Sequence, residues 1–132
     1  MASMTMATTT VAQMVAEAKQ RVMGLTANEV AAELRDIRTI LVDLREPEER
    51  SQTGVIPGAI HAPRGMLEFW ADPSSPYHRP ELQPERRVIL YCASGGRSAL
   101  AADALSRLGY TNLAHLEGGI KAWREAGGTI QV

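Results

Sequence analysis

Apolar residues recur along this chain in two patterns, a helical stripe and a short continuous run, and their alternation sets the expected elements. Between Val11 and Met23 the apolar positions Val11, Met14, Val15, Ala18 and Val22 fall three and four residues apart, the spacing of one helix face. This leader helix is expected to pack on its own domain rather than on a partner. Past Gly24, Thr26 to Glu29 has the residues of a capping box opening a helix that runs to about Asp36. TILVDL (39–44) is a nearly continuous apolar run ending in a charge, as expected of a strand covered on both faces. REPEERSQTG then gives a short helical turn with an early proline, closed by Gly54. On that turn Glu46 and Arg50 have the i,i+4 spacing of a surface ion pair. GAIHAP (58–63) reads as a further short strand, stopped by Pro63.

The stretch from Arg64 to Arg86 breaks the rhythm. GMLEFWA is one helical turn, and DPSSPYHRPELQP holds four prolines without periodicity, which predicts a long surface loop of the kind that often serves as a lid. Regular structure resumes at RVILYC (87–92), a second strongly apolar strand. From Arg97 the residues Leu100, Ala101, Ala104, Leu105 and Leu108 share a helical face that Gly109 ends. NLAHLEGG supplies a last strand and tight turn, and IKAWREAGG a short closing helix in which Trp123 is core. Short apolar strands alternating with helices predict an α/β fold, a mainly parallel central sheet with helices on both faces. Residues 1–24 form a tail and leader helix, and 25–132 the domain proper.

At 132 residues the chain is long enough for one domain with its own core. Fifteen acidic residues against fourteen Lys and Arg leave a net charge of −1, so nothing electrostatic favours nucleic acid or an anionic membrane. No apolar run approaches a membrane span. The amino terminus lacks a signal-peptide pattern, and the cytoplasm is the expected location. His61, His78 and His115 lack ligand spacing, so no metal is assigned; His61 and His115 fall on or near strands as core or edge residues. The single cysteine, Cys92, cannot form an internal disulfide. Its chemistry has to finish on another molecule.

Cys92 ends a strand and is followed by Ala93, Ser94, Gly95, Gly96, Arg97 and Ser98, with a helix beginning about five residues on. In an open parallel sheet, ligands bind beyond the carboxyl ends of the strands. Small residues let this backbone curl into an anion nest, and the helix start behind it adds positive potential. Both effects favour thiolate, the nucleophilic form. Arg97 is placed to meet an incoming anion, and the Ser98 hydroxyl to donate a hydrogen bond.

YCASGGRSALAADALSRLGY followed by HLEGGIKAW resembles the active-site half of a single-domain rhodanese, and VDLREPEE and GVIPGAIHAP resemble that family's two upstream motifs. The resemblance covers about residues 25–129. It implies the rhodanese-like three-layer fold and a sulfurtransferase activity. Cys92 would take sulfane sulfur from a small anionic donor such as thiosulfate, or from a persulfide. It would then pass that sulfur to cyanide or a thiol, with the covalent cysteine persulfide in place of any cofactor. A protein sulfur donor or acceptor is compatible with the same chemistry. By the same resemblance Ala93 to Ser98 form the persulfide-binding loop.

The upstream motif usually has histidine after its first glycine, and here Gly54 precedes Val55. Further residues assigned to the surroundings of the site are Asp43, Arg45, Arg64, Trp70 and Gly118. Asp43 and Arg45 either approach the mouth of the site or hold the 45–50 turn. Arg64 and Trp70, with Tyr77, His78 and Arg79, either shape an acceptor pocket or only tie down a surface loop. Gly118 either serves turn geometry or faces the mouth. Two other functions fit parts of the pattern. A phosphatase or arsenate reductase would use a similar cysteine nest, but tyrosine phosphatases place five residues before the arginine, and here four intervene. A non-catalytic rhodanese-like interaction module would have no need of the cysteine.

Overall fold

The computed structural model describes residues 8–132. Most of the expected amino-terminal tail therefore lies outside the described residues. Six helices and five strands follow: α1 (Val11–Arg21), β1 (Gly24–Leu25), α2 (Ala27–Glu33), β2 (Ile40–Asp43), α3 (Pro47–Thr53), β3 (Ile60–His61), α4 (Leu67–Ala71), β4 (Val88–Tyr91), α5 (Gly96–Arg107), β5 (Leu113–Leu116) and α6 (Gly119–Glu125). A 3₁₀ turn over Arg64–Met66 leads into α4. The strands form one sheet in the order β1-β5-β4-β2-β3, with every pairing parallel. All their carboxyl ends therefore open on the same edge.

Side chains alternate across this sheet, and helices cover both faces. Val88 and Leu90 of β4 join Val42, Leu44, Ala101, Ala102 and Leu105 in one core. Ile89 and Tyr91 join Leu41, Ala114, Leu116, Ile120 and Trp123 in the other. The runs TILVDL and RVILYC read as continuous because both registers are buried. His115 lies between Ala114 and Leu116 and so takes the opposite face, towards α5.

Helix α1 lies on α5, on its own domain as expected, although Val11 and Met14 of its stripe stay exposed. Ala18 is fully buried, and Arg21 grips Asp103 through Nε and Nη2 at 3.0 and 2.8 Å. This docking widens the covered face of α5. Its buried apolar residues are Ala99, Ala101, Ala102 and Leu105, while Leu100 and Ala104 are only half-covered, so the expected stripe is rotated towards the alanines. Helix α2 carries the expected Thr26–Glu29 capping box, yet it ends at Glu33 rather than near Asp36. The two-residue strand β1, unseen in the periodicity, exists by pairing with β5.

The 64–86 stretch is tied down as a strap. Leu67, Ala71 and Leu82 are fully buried. The Arg79 amide donates to the Trp70 carbonyl at 2.9 Å, and the Tyr110 hydroxyl donates to the Ala71 carbonyl at 2.8 Å. Leu67, Ala71, Leu82 and the half-buried Trp70 do this packing, whereas Phe69, Tyr77 and three of the four prolines stay exposed.

Candidate active site

Cys92 follows the last residue of β4, at the open edge of the sheet. Its side chain is 1% exposed. The Sγ atom accepts a hydrogen bond from the Gly95 amide at 3.1 Å and lies 3.7 Å from Ser98 Oγ. That return of the chain on itself requires Gly95 in the left-handed region, at φ +108°, where a side chain would be strained. Helix α5 begins at the next residue, and its first turn closes with the Ala99 amide on the Gly95 carbonyl at 3.3 Å. The amides of Gly96, Arg97 and Ser98 precede the first amide that donates within the helix, that of Ala99, so the positive end of α5 belongs to the loop that encloses the sulfur.

The outer side of the loop is held by α6. The Ile120 amide donates to the Cys92 carbonyl at 2.9 Å, and the Lys121 amide to the Ala93 carbonyl at 3.2 Å. With those carbonyls bonded outward, the loop presents amides rather than oxygens to the thiol. Gly118 is at φ +75° and caps α6. Its amide nitrogen would lie 3.2 Å from a Cβ placed on Gly95, so Gly118 acts through backbone fit against the loop.

Arg97 differs from the free cation expected of it. Both of its terminal nitrogens donate to the Glu49 carboxylate at 2.8 Å, clasping α5 to α3. That pair holds the Glu49 carboxyl down at about 2. The reason is geometric: Glu49 on α3 faces Arg97 on the first turn of α5, and a bidentate fork satisfies both partners. Two further cations stand close to the loop. A pocket of about 340 Å³ opens beside the loop, lined by Ala93, Ser94, Glu49, Gln52, Lys121 and Arg124 among others. Lys121 and Arg124, on one turn of α6, went unassigned in the sequence reading, as did Glu49. A larger hollow of about 1000 Å³ sits at the opposite end of the strands, lined by Asp36, Arg38, Arg87 and Asn112 among others, far from the thiol loop.

The remaining assigned residues separate into two groups. Asp43 and Arg45 are buried at the same edge; Arg45 lines the pocket beside the loop, and both also belong to a buried network that holds the following turn. The guanidinium of Arg45 bonds Asp43 through Nε and Nη2 at 3.1 and 3.0 Å, Thr53 Oγ1 at 2.7 Å and the Gly54 carbonyl at 2.7 Å. The Tyr91 hydroxyl donates to Asp43 Oδ2 at 2.8 Å and accepts from the Ile56 amide at 3.2 Å. Burial alone would raise the Asp43 carboxyl, yet its bonds to Arg45 and Tyr91 keep it below the usual range. Arg50 donates to this same carboxylate at 3.2 Å. The expected Glu46–Arg50 surface pair is thereby replaced, because a buried carboxylate competes better than an exposed one. Glu46 instead donates its amide to Glu49 Oε2 at 2.9 Å.

Arg64 and Trp70 belong to the strap. Arg64 pairs with Glu68 at 2.7 Å, and Arg79 stacks over Trp70 at 4.9 Å from the ring centroid. Neither lines the pocket beside the loop. Val55, at the place where histidine is usual in the upstream motif, pairs as an isolated antiparallel bridge with Gln131.

Comparison with known proteins agrees with this architecture. The family model described as "Rhodanese-like domain" matches residues 26–126. A sulfurtransferase of Allochromatium vinosum is 38% identical over 88 residues, covering 67% of this chain and 74% of that one. A thiosulfate:glutathione sulfurtransferase of Saccharomyces cerevisiae is 33% identical over 98 residues, with 70% of each chain covered. Among solved structures, a Rhodopseudomonas palustris protein of unknown function, described as a possible tyrosine phosphatase, superposes with a TM-score of 0.89 at 40% identity. That superposition covers 98% of this chain and 100% of the other. A match over this much of the chain, together with the all-parallel sheet and the cysteine loop, places the protein in the rhodanese-like domain family.

Proposed function

We propose that the protein is a sulfurtransferase in which Cys92 carries sulfane sulfur between a small anionic donor and a nucleophilic acceptor. The observation carrying this reading is the thiol itself, buried at a strand end with the Gly95 amide on its sulfur at 3.1 Å. In the first half-reaction the Cys92 thiolate attacks the outer sulfur of thiosulfate. A new S–S bond forms, the bond to the sulfonate sulfur breaks, and sulfite leaves with the electron pair. The persulfide's terminal sulfur is anionic, and the fixed amides of the loop stabilise it without a proton. In the second half-reaction cyanide or a thiolate attacks that terminal sulfur and restores the Cys92 thiolate.

Ala93 to Ser98 form the cradle, and Arg97 keeps its shape through Glu49. Lys121 and Arg124, lining the adjacent pocket, meet the charged end of the donor. The persulfide serves as the only carrier, so the chemistry needs no metal or organic cofactor. A persulfide on a partner protein could load the same sulfur.

Incubation with thiosulfate is expected to add one sulfur, about 32 Da, to Cys92 by mass spectrometry. Cys92→Ser should lose both this adduct and thiocyanate formation from thiosulfate and cyanide. Persistence of either would overturn the reading. A phosphatase remains the comparison case, because of the description carried by the Rhodopseudomonas palustris structure. The loop argues against it, since only Ala93 to Gly96 separate Cys92 from Arg97 and the guanidinium is engaged by Glu49. Faster turnover of a phosphate ester than of thiosulfate would reverse that ranking.

A further inference from the structure

A thiol that is 1% exposed must still lose its proton before it can attack, and its route to water is not through open solvent. Behind Cys92 a line of polar atoms begins at Ser98, the last residue of the loop, and runs away from it. Ser98 Oγ is 3.7 Å from Cys92 Sγ and 2.9 Å from His115 Nδ1. His115 is fully buried, and its Nε2 has no hydrogen-bond partner among the described residues. At 3.6 Å from that nitrogen stands Oε1 of Glu117, whose side chain is half-exposed. We infer that His115 is a positioning residue that draws the Cys92 proton through Ser98 and delivers it to Glu117, a proton wire from the buried thiol to solvent. The inference rests on the reading of Cys92 as the nucleophile.

The tautomer follows from charge. A bare nitrogen lone pair facing a carboxylate is repelled, so Nε2 carries the hydrogen and Nδ1 is the acceptor. Ser98 then donates its one hydroxyl hydrogen to Nδ1 at 2.9 Å, closer than its alternative acceptor, the Gly95 carbonyl at 3.2 Å. A Ser98 Oγ lone pair is left to accept from the thiol. When Cys92 ionises, the S–H bond breaks and the sulfur keeps the electron pair. Ser98 Oγ takes that proton while its own passes to His115 Nδ1, so the hydroxyl is regenerated. The imidazolium stands between Ser98 and Glu117, and the Nε2 proton leaves through the Glu117 carboxylate to water.

The charged groups facing His115 are Glu117, which follows β5, and Lys19 from α1. Burial holds the imidazole below its ordinary range, Glu117 opposes this and Lys19 reinforces it. His115 is therefore neutral at rest and able to receive a proton. A distance of 3.6 Å is too long for a hydrogen bond, and a small movement of the half-exposed Glu117 side chain closes it.

Cys92 is the only cysteine, so iodoacetamide alkylation reads its thiolate without interference. The test compares alkylation rate against pH for the wild type, His115→Asn, Ser98→Ala and the double variant. Each single variant is expected to slow alkylation about tenfold near neutral pH and to match the wild type in alkaline buffer, where the thiolate forms unaided. Because both act on one wire, the double variant should lose no more than either alone. Superimposable profiles, an equal loss at every pH, or additive losses would overturn the wire; should His115→Asn not fold, the Ser98→Ala profile decides. If the wild type shows the wire's profile but takes no sulfur from thiosulfate, the sulfurtransferase reading fails and the wire stands.

Discussion

Gly119 is the residue on which the cysteine loop leans most heavily from outside. It sits at φ +63°, and a Cβ at this position would overlap the carbonyls of Cys92 and Ala93. Those are the two carbonyls that α6 fixes, so the collision falls on the loop itself. Gly119→Ala is expected to cost about 3 kcal/mol or more, from left-handed strain plus a clash with backbone that cannot move aside. Alkylation of Cys92 should fall with it. Urea denaturation and iodoacetamide labelling check the two parts, and a variant as stable and reactive as the wild type would contradict the packing described. The Gly-Gly of NLAHLEGG and the CASGGRS loop were both legible in the chain, because glycine placement and a strand end are local signals. The Arg97–Glu49 clasp was not legible, since 48 residues separate its partners and only the packing of α3 against the loop joins them. Asp43 and Arg45 were visible as a pair, but Tyr91 reaching across from β4 made it a structural one.

Among the elements, α1 is the one whose role depends most on a single side chain. Ala18 is its sole fully buried residue, while Val11 and Met14 remain exposed. A Cβ on Gly96 would sit 3.8 Å from Val15 Cγ2, so α1 also flanks the start of α5, where the thiol loop ends. Ala18→Asp would bury an unpaired carboxylate between two helices, and we expect it to cost about 3 kcal/mol and to expose α1 to proteolysis. Arg21→Ala removes an ion pair whose arginine is 56% exposed, and should cost under about 1 kcal/mol. A larger loss from Arg21→Ala than from Ala18→Asp, measured by urea midpoints, would mean that charge rather than burial docks the helix. Periodicity revealed α1 because a stripe survives without tertiary context. It missed β1, whose two residues become a strand only through β5, and it overextended α2, whose last expected turn lacks buried neighbours.

Over the whole molecule the parallel sheet gathers its carboxyl ends at one edge, and the paired carboxylates and the buried histidine, at the site and away from it, titrate in one direction. Glu49 is held at about 2 by Arg97, and Asp36 at about 2 by Arg38. Glu33 and Asp103 are lowered by Arg87 and Arg21, and Asp43 by Arg45 and Tyr91 against the effect of burial. Burial keeps His115 below its ordinary 6.5. Every one of these groups binds protons more weakly folded than unfolded, so stability rises with pH through each transition. The His115 contribution is complete above 6.5 and is lost as acid protonates the unfolded chain first. The carboxylate contributions hold above their ordinary values of 3.8 to 4.5 and disappear as pH falls towards 2. Urea midpoints should therefore be level between about pH 7 and 8, decline gently below 6.5 and drop steeply below 4.5. The gentle arm belongs to His115 and should flatten in His115→Asn, whereas the steep arm should persist. A wild-type midpoint higher at pH 5 than at pH 7 would mean that the buried imidazole is charged in the folded protein. The wire would then start from an imidazole already charged and unable to receive a proton.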